Sequence, residues 1–204
     1  IDHARAGRVA ELAEALRDDG PLNQVPSLTW LEDDHVRETA ASFRLTDLSE
    51  TLIPDYDVVR IKDYTTTQTL GIRDLAITTS RGCPNACRYC YNLPFNQRRW
   101  TAQPAEAVVE HIDRIVRLFD IHGILIKDDN FYVDAERVDA IAAGLQRRGL
   151  NVTVRGECRA DYIARRWSPA FLDHLYNAGF REMTVGAESG DDPTLERLEK
   201  DICV

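Results

Sequence analysis

Three of the chain's five cysteines, Cys83, Cys87 and Cys90, fall within eight residues of each other in "RGCPNACRYCYN" (81–92). Thiolates are soft ligands that select zinc, copper or iron–sulfur clusters over hard cations. A structural zinc site is tetrahedral and closed, so three cysteines need a fourth Cys or His. Neither type occurs within twenty residues on either side of the triplet; Cys158 or Cys203 could supply that ligand only through tertiary folding. A cubane 4Fe–4S cluster, by contrast, can be held by three cysteines, with one iron left for a substrate or cofactor to chelate. Gly82 and Pro84 suit a loop wrapped tightly around a cluster. Three unconnected buried thiols would need a less regular spacing. Arg81, Arg88, Arg98 and Arg99 make the neighbourhood locally basic, either as solvated loop arginines or as a binding surface.

The elements around the triplet must position it. Residues 7–19 place Val9, Leu12 and Leu16 on one face and predict a short helix closed by Gly20-Pro21. Residues 21–70 carry prolines at 21, 26 and 54 and many acidic residues, and read as an extended linker with a small hairpin around Leu28–Phe43. From Leu70 an alternation begins. Strands are expected at 74–79, 124–127, 150–155 and 180–186, and helices at 104–123, 134–149 and 168–179. Asp134 and Ser168 are the expected N-caps, with Gly123, Gly149 and Gly179 as stops. Residues 193–204 read as a helix barely begun. This is the pattern of parallel βαβ units, in either an open doubly wound sheet or part of a β/α barrel. In both, ligands bind beyond the carboxyl ends of the strands. Four polar segments stand there: the cysteine loop, Asp128-Asp129-Asn130, 156–161 and 186–190.

Composition bounds the function. The 204 residues are 44% hydrophobic, enough for one domain and an appendage, with a net charge of −9. That balance weighs against broad electrostatic binding to nucleic acid. No apolar run approaches the roughly 20 residues of a membrane helix, and no secretory signal is visible. Sparse, clustered cysteine points to a reducing cytoplasm. The chain starts at Ile1 and stops at Val204, and we read it as a segment of something longer.

The cysteine triplet, with Tyr89 before its last member and an expected strand before it, resembles the radical S-adenosylmethionine (SAM) enzymes. "IKDDNFYVD" (126–134), "GAESGDDPTLERLEK" (186–200) and "IPDYDVVRIKDY" (53–64) are most similar to the branch that carries an N-terminal cobalamin-binding domain. The resemblance covers nearly the whole chain. It implies an α/β fold: a partial parallel β/α (TIM-like) barrel, here the first four strands of a radical SAM core, preceded by an irregular linker. Residues 1–20 would be the tail of an upstream domain, 21–70 the linker and 71–204 the core, cut after its fourth strand.

The resemblance also implies a chemistry. Cys83, Cys87 and Cys90 would ligate a 4Fe–4S cluster whose open iron chelates SAM, which is cleaved reductively to a 5′-deoxyadenosyl radical. Tyr89 would lie beside the adenine. Asp128, Asp129 and Asn130 would stand where relatives bind the SAM amino group, and Glu188 and Ser189 would contact the ribose. Arg159 would face the SAM carboxylate or pair with Asp161 or Glu157. Cys158 reads as a small buried apolar residue. The branch's cobalamin motif, Asp-x-His-x-x-Gly, is absent, because Asp2-His3 has the wrong spacing; cobalamin would belong to the full-length protein and is not assigned to this chain. Expected partners are a small-molecule substrate and an electron donor such as flavodoxin or ferredoxin. Two other functions fit parts of the pattern: a zinc-stabilised interaction module completed by Cys158, and a transfer-RNA methylthiotransferase.

Overall fold

A computed structural model describes residues 3–40, 48 and 54–204. Phe43, the far end of the expected hairpin, and Ile53, where the interdomain stretch begins, lie outside the described residues. The chain divides into two compact units, Ile1–Thr46 and Asp47–Val204. The first holds helix α1 (His3–Arg17) and an antiparallel hairpin of β1 (Thr29–Glu32) and β2 (His35–Glu38). Asp33 and Asp34 join the strands with φ of 50° and 60°. Positive φ at both central residues is the two-residue turn whose twist matches the strands.

In the second unit, β3 (Thr65–Thr69) runs antiparallel to β4 (Ile72–Ile77). Then come β5 (Ser80–Gly82), α2 (Asn92–Asn96), β6 (Trp100–Ala102), α3 (Ala105–Phe119), β7 (Gly123–Ile126), α4 (Ala135–Arg147), β8 (Thr153–Arg159), α5 (Pro169–Asn177), β9 (Phe180–Gly186) and α6 (Asp192–Arg197). The main sheet has the order β3-β4-β7-β8-β9, and its last four strands are parallel. Each new strand is added beyond the one before. A doubly wound sheet reverses direction partway; this one does not, so its winding is that of a β/α barrel.

Local chemistry explains the elements. α3 buries Val108, Val109, Ile112 and Ile115 completely in one core with Ile124, Ile126 and Val154, and Val109 lies against Gly144 of α4. Each such side chain contributes about 1.5–3 kcal/mol of burial. Asp134 caps α4 by accepting from the N–H groups of Glu136 and Arg137, and Ser168 caps α5 by accepting from Phe171 N–H. Both expected caps are formed.

Four expectations change. The helix expected at 104–123 ends at Phe119 with Asp120 as its left-handed cap (φ of 52°), and Gly123, the expected stop, opens β7. Residues 65–69, read as linker, are an edge strand: Leu70-Gly71 makes a second positive-φ turn, and buried Asp74 accepts from Thr66 Oγ1 and, at 2.7 Å, from Thr69 N–H. The strand expected at 150–155 runs on to Arg159, because Glu157–Arg159 pair with Thr184–Gly186. The final helix stops at Arg197, and Glu199 and Asp201 take left-handed φ of 50° and 56° that turn the chain back. Among the described residues, no helix is long and apolar enough to cross a membrane.

Tyr56 packs edge-on against Phe119 and hydrogen-bonds through its hydroxyl to His111 Nε2 on α3. Burial, reinforced by the Arg114 charge, pushes His111 from 6.5 down to about 4. Between these values the folded chain binds fewer protons than the unfolded chain. Stability is therefore full above pH 6.5 and falls as pH drops towards 4. We expect wild type to lose about 2–3 kcal/mol more than His111→Leu between pH 7 and 4.5 in urea unfolding. Parallel losses in the two proteins would refute the assignment.

Candidate functional site

A cavity of about 190 Å³ opens where the parallel strands end. The cysteine loop gives it Cys83, Cys87, Tyr89 and Cys90; the segment after β7 gives Asp129 and Asn130. The end of β8 gives Glu157, Cys158 and Arg159, β9 and its exit give Gly186 and Glu188, and Lys200 closes the wall. A larger cavity, about 540 Å³, lies elsewhere, beside Arg73 and Phe119, with no cysteine in its lining.

The cysteine loop is carried on a short antiparallel ribbon, β5 against β6. Gly82, the last residue of β5, has φ of 81°, and an added Cβ would lie 2.0 Å from Arg99 O. Its N–H donates to Asp129 Oδ2 at 2.8 Å, and Asp129 Oδ1 accepts from the Tyr91 hydroxyl. The loop's other side is fixed by Arg88 N–H, which donates to Leu198 O at 2.9 Å. Gly82→Ala must therefore displace the ribbon. The left-handed backbone alone costs about 1–2 kcal/mol, and we expect lower thermal stability together with at least halved metal incorporation on reconstitution. Unchanged iron content would refute this role for Gly82.

Two of the three sulfurs have side-chain donors. Asn85 Nδ2 is 3.1 Å from Cys83 Sγ, Asn130 Nδ2 is 3.5 Å from the same sulfur, and Arg159 Nη1 is 3.5 Å from Cys87 Sγ. N–H donors of this kind also surround the sulfurs of metal-bound cysteines. Among the described residues, no three His, Cys, Asp or Glu side chains close on a single ion; the thiols line a shared cavity instead. Three soft ligands, two of them with N–H donors, fit an iron–sulfur cluster. Cys158 does not join them: burial pushes its thiol up to about 12, and Sγ donates to Arg159 O at 3.2 Å. A closed four-thiolate zinc site is therefore disfavoured.

In the same cavity, Lys200 Nζ donates to Glu188 Oε1 at 2.9 Å and to Tyr89 Oη at 3.0 Å, and lies 5.7 Å from the centre of the Tyr89 ring. The Lys200 hydrogen bond, helped by one from Tyr89, holds the Glu188 carboxyl below its ordinary range. Burial alone would lower Lys200; its bonds to Tyr89 and Glu188 outweigh this and raise it. Gly186 makes room for the pair, since a Cβ there would sit 2.7 Å from Glu188 Oε1 and 3.1 Å from Lys200 Nζ. Glu188 itself has φ of 65°, rare for a residue with a side chain.

Of the residues expected from sequence, the structure gathers Cys83, Cys87, Cys90, Tyr89, Asp129, Asn130, Arg159 and Glu188 around one cavity. Asp128 and Ser189 stand apart. Asp128 is 2% exposed and accepts from Thr79 N–H at 2.6 Å, Thr79 Oγ1 at 2.7 Å and Ser80 Oγ at 2.7 Å, so it ties the end of β4 to the end of β7. Ser189 Oγ accepts from Asp191 N–H beside the start of α6. Arg159 takes the ion-pair option: Nε meets Asp161 Oδ1 at 2.8 Å and Nη2 donates to Lys200 O at 2.8 Å. Asn130 Nδ2 donates to the Tyr162 hydroxyl at 3.1 Å, while its buried Oδ1 has no protein partner. Sequence reasoning missed Lys200. No local signal marks it, because its place depends on the long-range bonds of Arg88 to Leu198 and of Arg159 to Lys200 itself.

Among known proteins, the chain is 27% identical over 94% of its length to an anaerobic magnesium-protoporphyrin IX monomethyl ester cyclase from Synechocystis, covering 37% of that protein. It is 26% identical over 93% of its length to a hopanoid C-3 methylase from Methylococcus capsulatus, covering 35%. It thus spans about a third of these relatives' length. Its fold superposes on the cobalamin-dependent SAM radical enzyme OxsB with a TM-score of 0.74 at 21% identity, covering 96% of this chain and 28% of OxsB. The radical SAM methyltransferase TsrM from Kitasatospora setae gives 0.72 at 16% identity, with 97% and 39% covered. The family model described as the Radical SAM superfamily matches residues 77–203, from the end of β4 through Lys200, and the chain belongs to that superfamily, whose members use a 4Fe–4S cluster and SAM.

Proposed function

We propose that this chain is the cluster- and SAM-binding part of an enzyme that cleaves SAM reductively for methyl transfer or cyclisation on a small-molecule substrate. The observation that carries this is one cavity lined by the three thiols together with Tyr89, Asn130, Glu188 and Lys200. The chemistry supplied when the cluster is bound is one-electron cleavage of the SAM sulfonium to methionine and a 5′-deoxyadenosyl radical.

The chain's own residues match the other parts of SAM. The unpartnered Asn130 Oδ1 can accept from its ammonium group, and Lys200 Nζ can pair with its carboxylate. Glu188 can accept from the ribose hydroxyls, and the half-exposed Tyr89 ring offers the adenine an apolar face. Arg159 works at one remove, holding the 198–200 segment against the cysteine loop.

The methylase and cyclase names of the relatives support small-molecule chemistry over transfer-RNA modification. Since relatives are about three times longer, we read residues 71–204 as the first part of a larger barrel, joined to β3, and residues 1–20 as the end of a preceding domain. The neighbours OxsB and TsrM support cobalamin in the full-length protein, outside these residues. The electron would come from a flavodoxin- or ferredoxin-type donor.

Anaerobic reconstitution of the full-length protein followed by product analysis tests the reading. 5′-Deoxyadenosine shows radical cleavage, and added S-adenosylhomocysteine shows methyl transfer; stoichiometric zinc with neither product would sink it. Lys200→Ala should weaken SAM binding by about 10-fold or more, the worth of a charged hydrogen bond, while leaving the iron content unchanged. Equal affinities in equilibrium dialysis would remove Lys200 from the site.

A further inference from the structure

Arg159 ends β8, and its side chain is only 8% exposed. Cys87, the thiol it faces, is equally buried. The guanidinium divides its donors among three acceptors. Nε meets Asp161 Oδ1 at 2.8 Å, Nη2 donates to Lys200 O at 2.8 Å, and Nη1 donates to Cys87 Sγ at 3.5 Å. Asp161 is held in turn, since its Oδ2 faces Arg166 Nη2 at 3.8 Å. With Nε and Nη2 both anchored, the planar group is fixed against rotation and Nη1 stays aimed at the sulfur. The donors to Cys83, from Asn85 and Asn130, are neutral amides. Arg159 brings Cys87 a cation that keeps its proton at any working pH. A hydrogen bond between a cation and a thiolate is charge-assisted, and burial strengthens it.

We propose that Arg159, acting through Cys87, raises the reduction potential of the cluster that the triplet holds. The inference rests on the cluster reading above and adds to it a residue that tunes the electron-accepting step. In that step the oxidised cluster takes one electron from a reductant, the reductant loses one, and no atoms are exchanged. A site already anionic from three thiolates thereby gains one more negative charge. A fixed cation and an N–H donor at one of its sulfurs stabilise the added charge and favour the reduced form. Hydrogen bonds to sulfur and local charge are among the levers that set such potentials. An Arg159 that only held the 198–200 segment in place would behave differently. Its loss would loosen that segment and admit water, and water also stabilises added charge, so the potential would rise or stay where it is. The sign of the shift separates the two roles.

The test is a redox titration of the full-length, anaerobically reconstituted protein and its Arg159→Gln variant, without SAM. Dithionite with dye mediators is the reductant, and the paramagnetic signal of the reduced cluster is the readout. Iron content is first matched between the two proteins. At the wild-type midpoint, the variant's ratio of reduced to oxidised cluster should be about 10-fold lower, a shift of about 59 mV to more negative potential for one electron. Arg159→Lys keeps a cation but not the planar fork, and should titrate between the two. If Arg159→Gln fails to load a cluster, Arg159→Lys carries the test, and a potential below that of wild type is again expected. A variant potential equal to or above that of wild type would overturn the proposal and leave Arg159 as a support for the 198–200 segment. A wild type that forms no cluster overturns the cluster reading and this inference with it, whereas a brown protein whose potential ignores the substitution overturns this inference alone.

Discussion

Cys87→Ala, reconstituted anaerobically beside wild type, is expected to stay colourless and to release no 5′-deoxyadenosine from SAM. Cys83→Ala and Cys90→Ala should behave alike. The brown colour of a reconstituted cluster arises from thiolate-to-iron charge transfer, and a cluster with two protein thiolates in place of three has lost a third of its anchorage. Cys87 is the most buried of the triplet at 8% exposure, with the Arg159 guanidinium beside its sulfur. Its removal leaves a buried cation facing a small void. The control is Cys158→Ala. That thiol also lines the cavity, but burial holds it protonated at neutral pH and it donates to a backbone carbonyl. We expect Cys158→Ala to keep its colour and iron content. A folded Cys158→Ala protein that loses metal, with stoichiometric zinc in the wild type, would restore the four-thiolate reading.

Asp128→Ala is expected to lower the unfolding free energy by about 3–5 kcal/mol, the range for removing one partner of a buried charged network. This is a large part of the 5–15 kcal/mol that holds a domain together. Three donors on Thr79 and Ser80 converge on the Asp128 carboxylate. Arg137, itself buried, donates to Thr79 O at 3.1 Å, Thr79 Oγ1 at 3.0 Å and Gln103 O at 2.8 Å. Burial pushes the Asp128 carboxyl up, against the hydrogen bonds from Thr79 and Ser80 that favour its charged form. Truncation leaves those donors unsatisfied and the Arg137 charge without its nearby anion. Asn130→Ala, two residues on, should cost far less stability and act on SAM binding instead. Urea unfolding of both variants, with SAM affinity measured in parallel, separates the roles; an unchanged midpoint for Asp128→Ala would refute this one.

Much of the molecule is legible in the residues because the signals are local. Asp134 and Ser168 cap helices through atoms two and three positions away, and the buried stripe of α3 recurs at the helical period. The spacing of Cys83, Cys87 and Cys90 places three thiols on one loop whatever surrounds it. β3 escaped notice because threonine, glutamine and an edge position give no alternation, although Leu70-Gly71 is a turn signal in plain view. Asp128, Asp129 and Asn130 look alike on paper. They part only because successive side chains leaving a strand point different ways, one into the Thr79–Ser80–Arg137 network and two towards the thiols.

The sequence by itself determined the chemistry available here: three soft ligands too few for a closed site, set in a run of βα units that sends its polar loops to one end of a sheet. Tertiary structure decided what those groups can do together. The order β4-β7-β8-β9 chose a barrel's winding over a doubly wound sheet, since that depends on which edge each strand joins. It withdrew Arg159 into an ion pair with Asp161, and it brought Lys200, twelve residues beyond Glu188 and unmarked by any pattern, into the wall. Both results depend on long-range hydrogen bonds from Arg88 and Arg159 that fold the 198–200 segment onto the cysteine loop, and no periodicity in a chain encodes where its distant parts will meet.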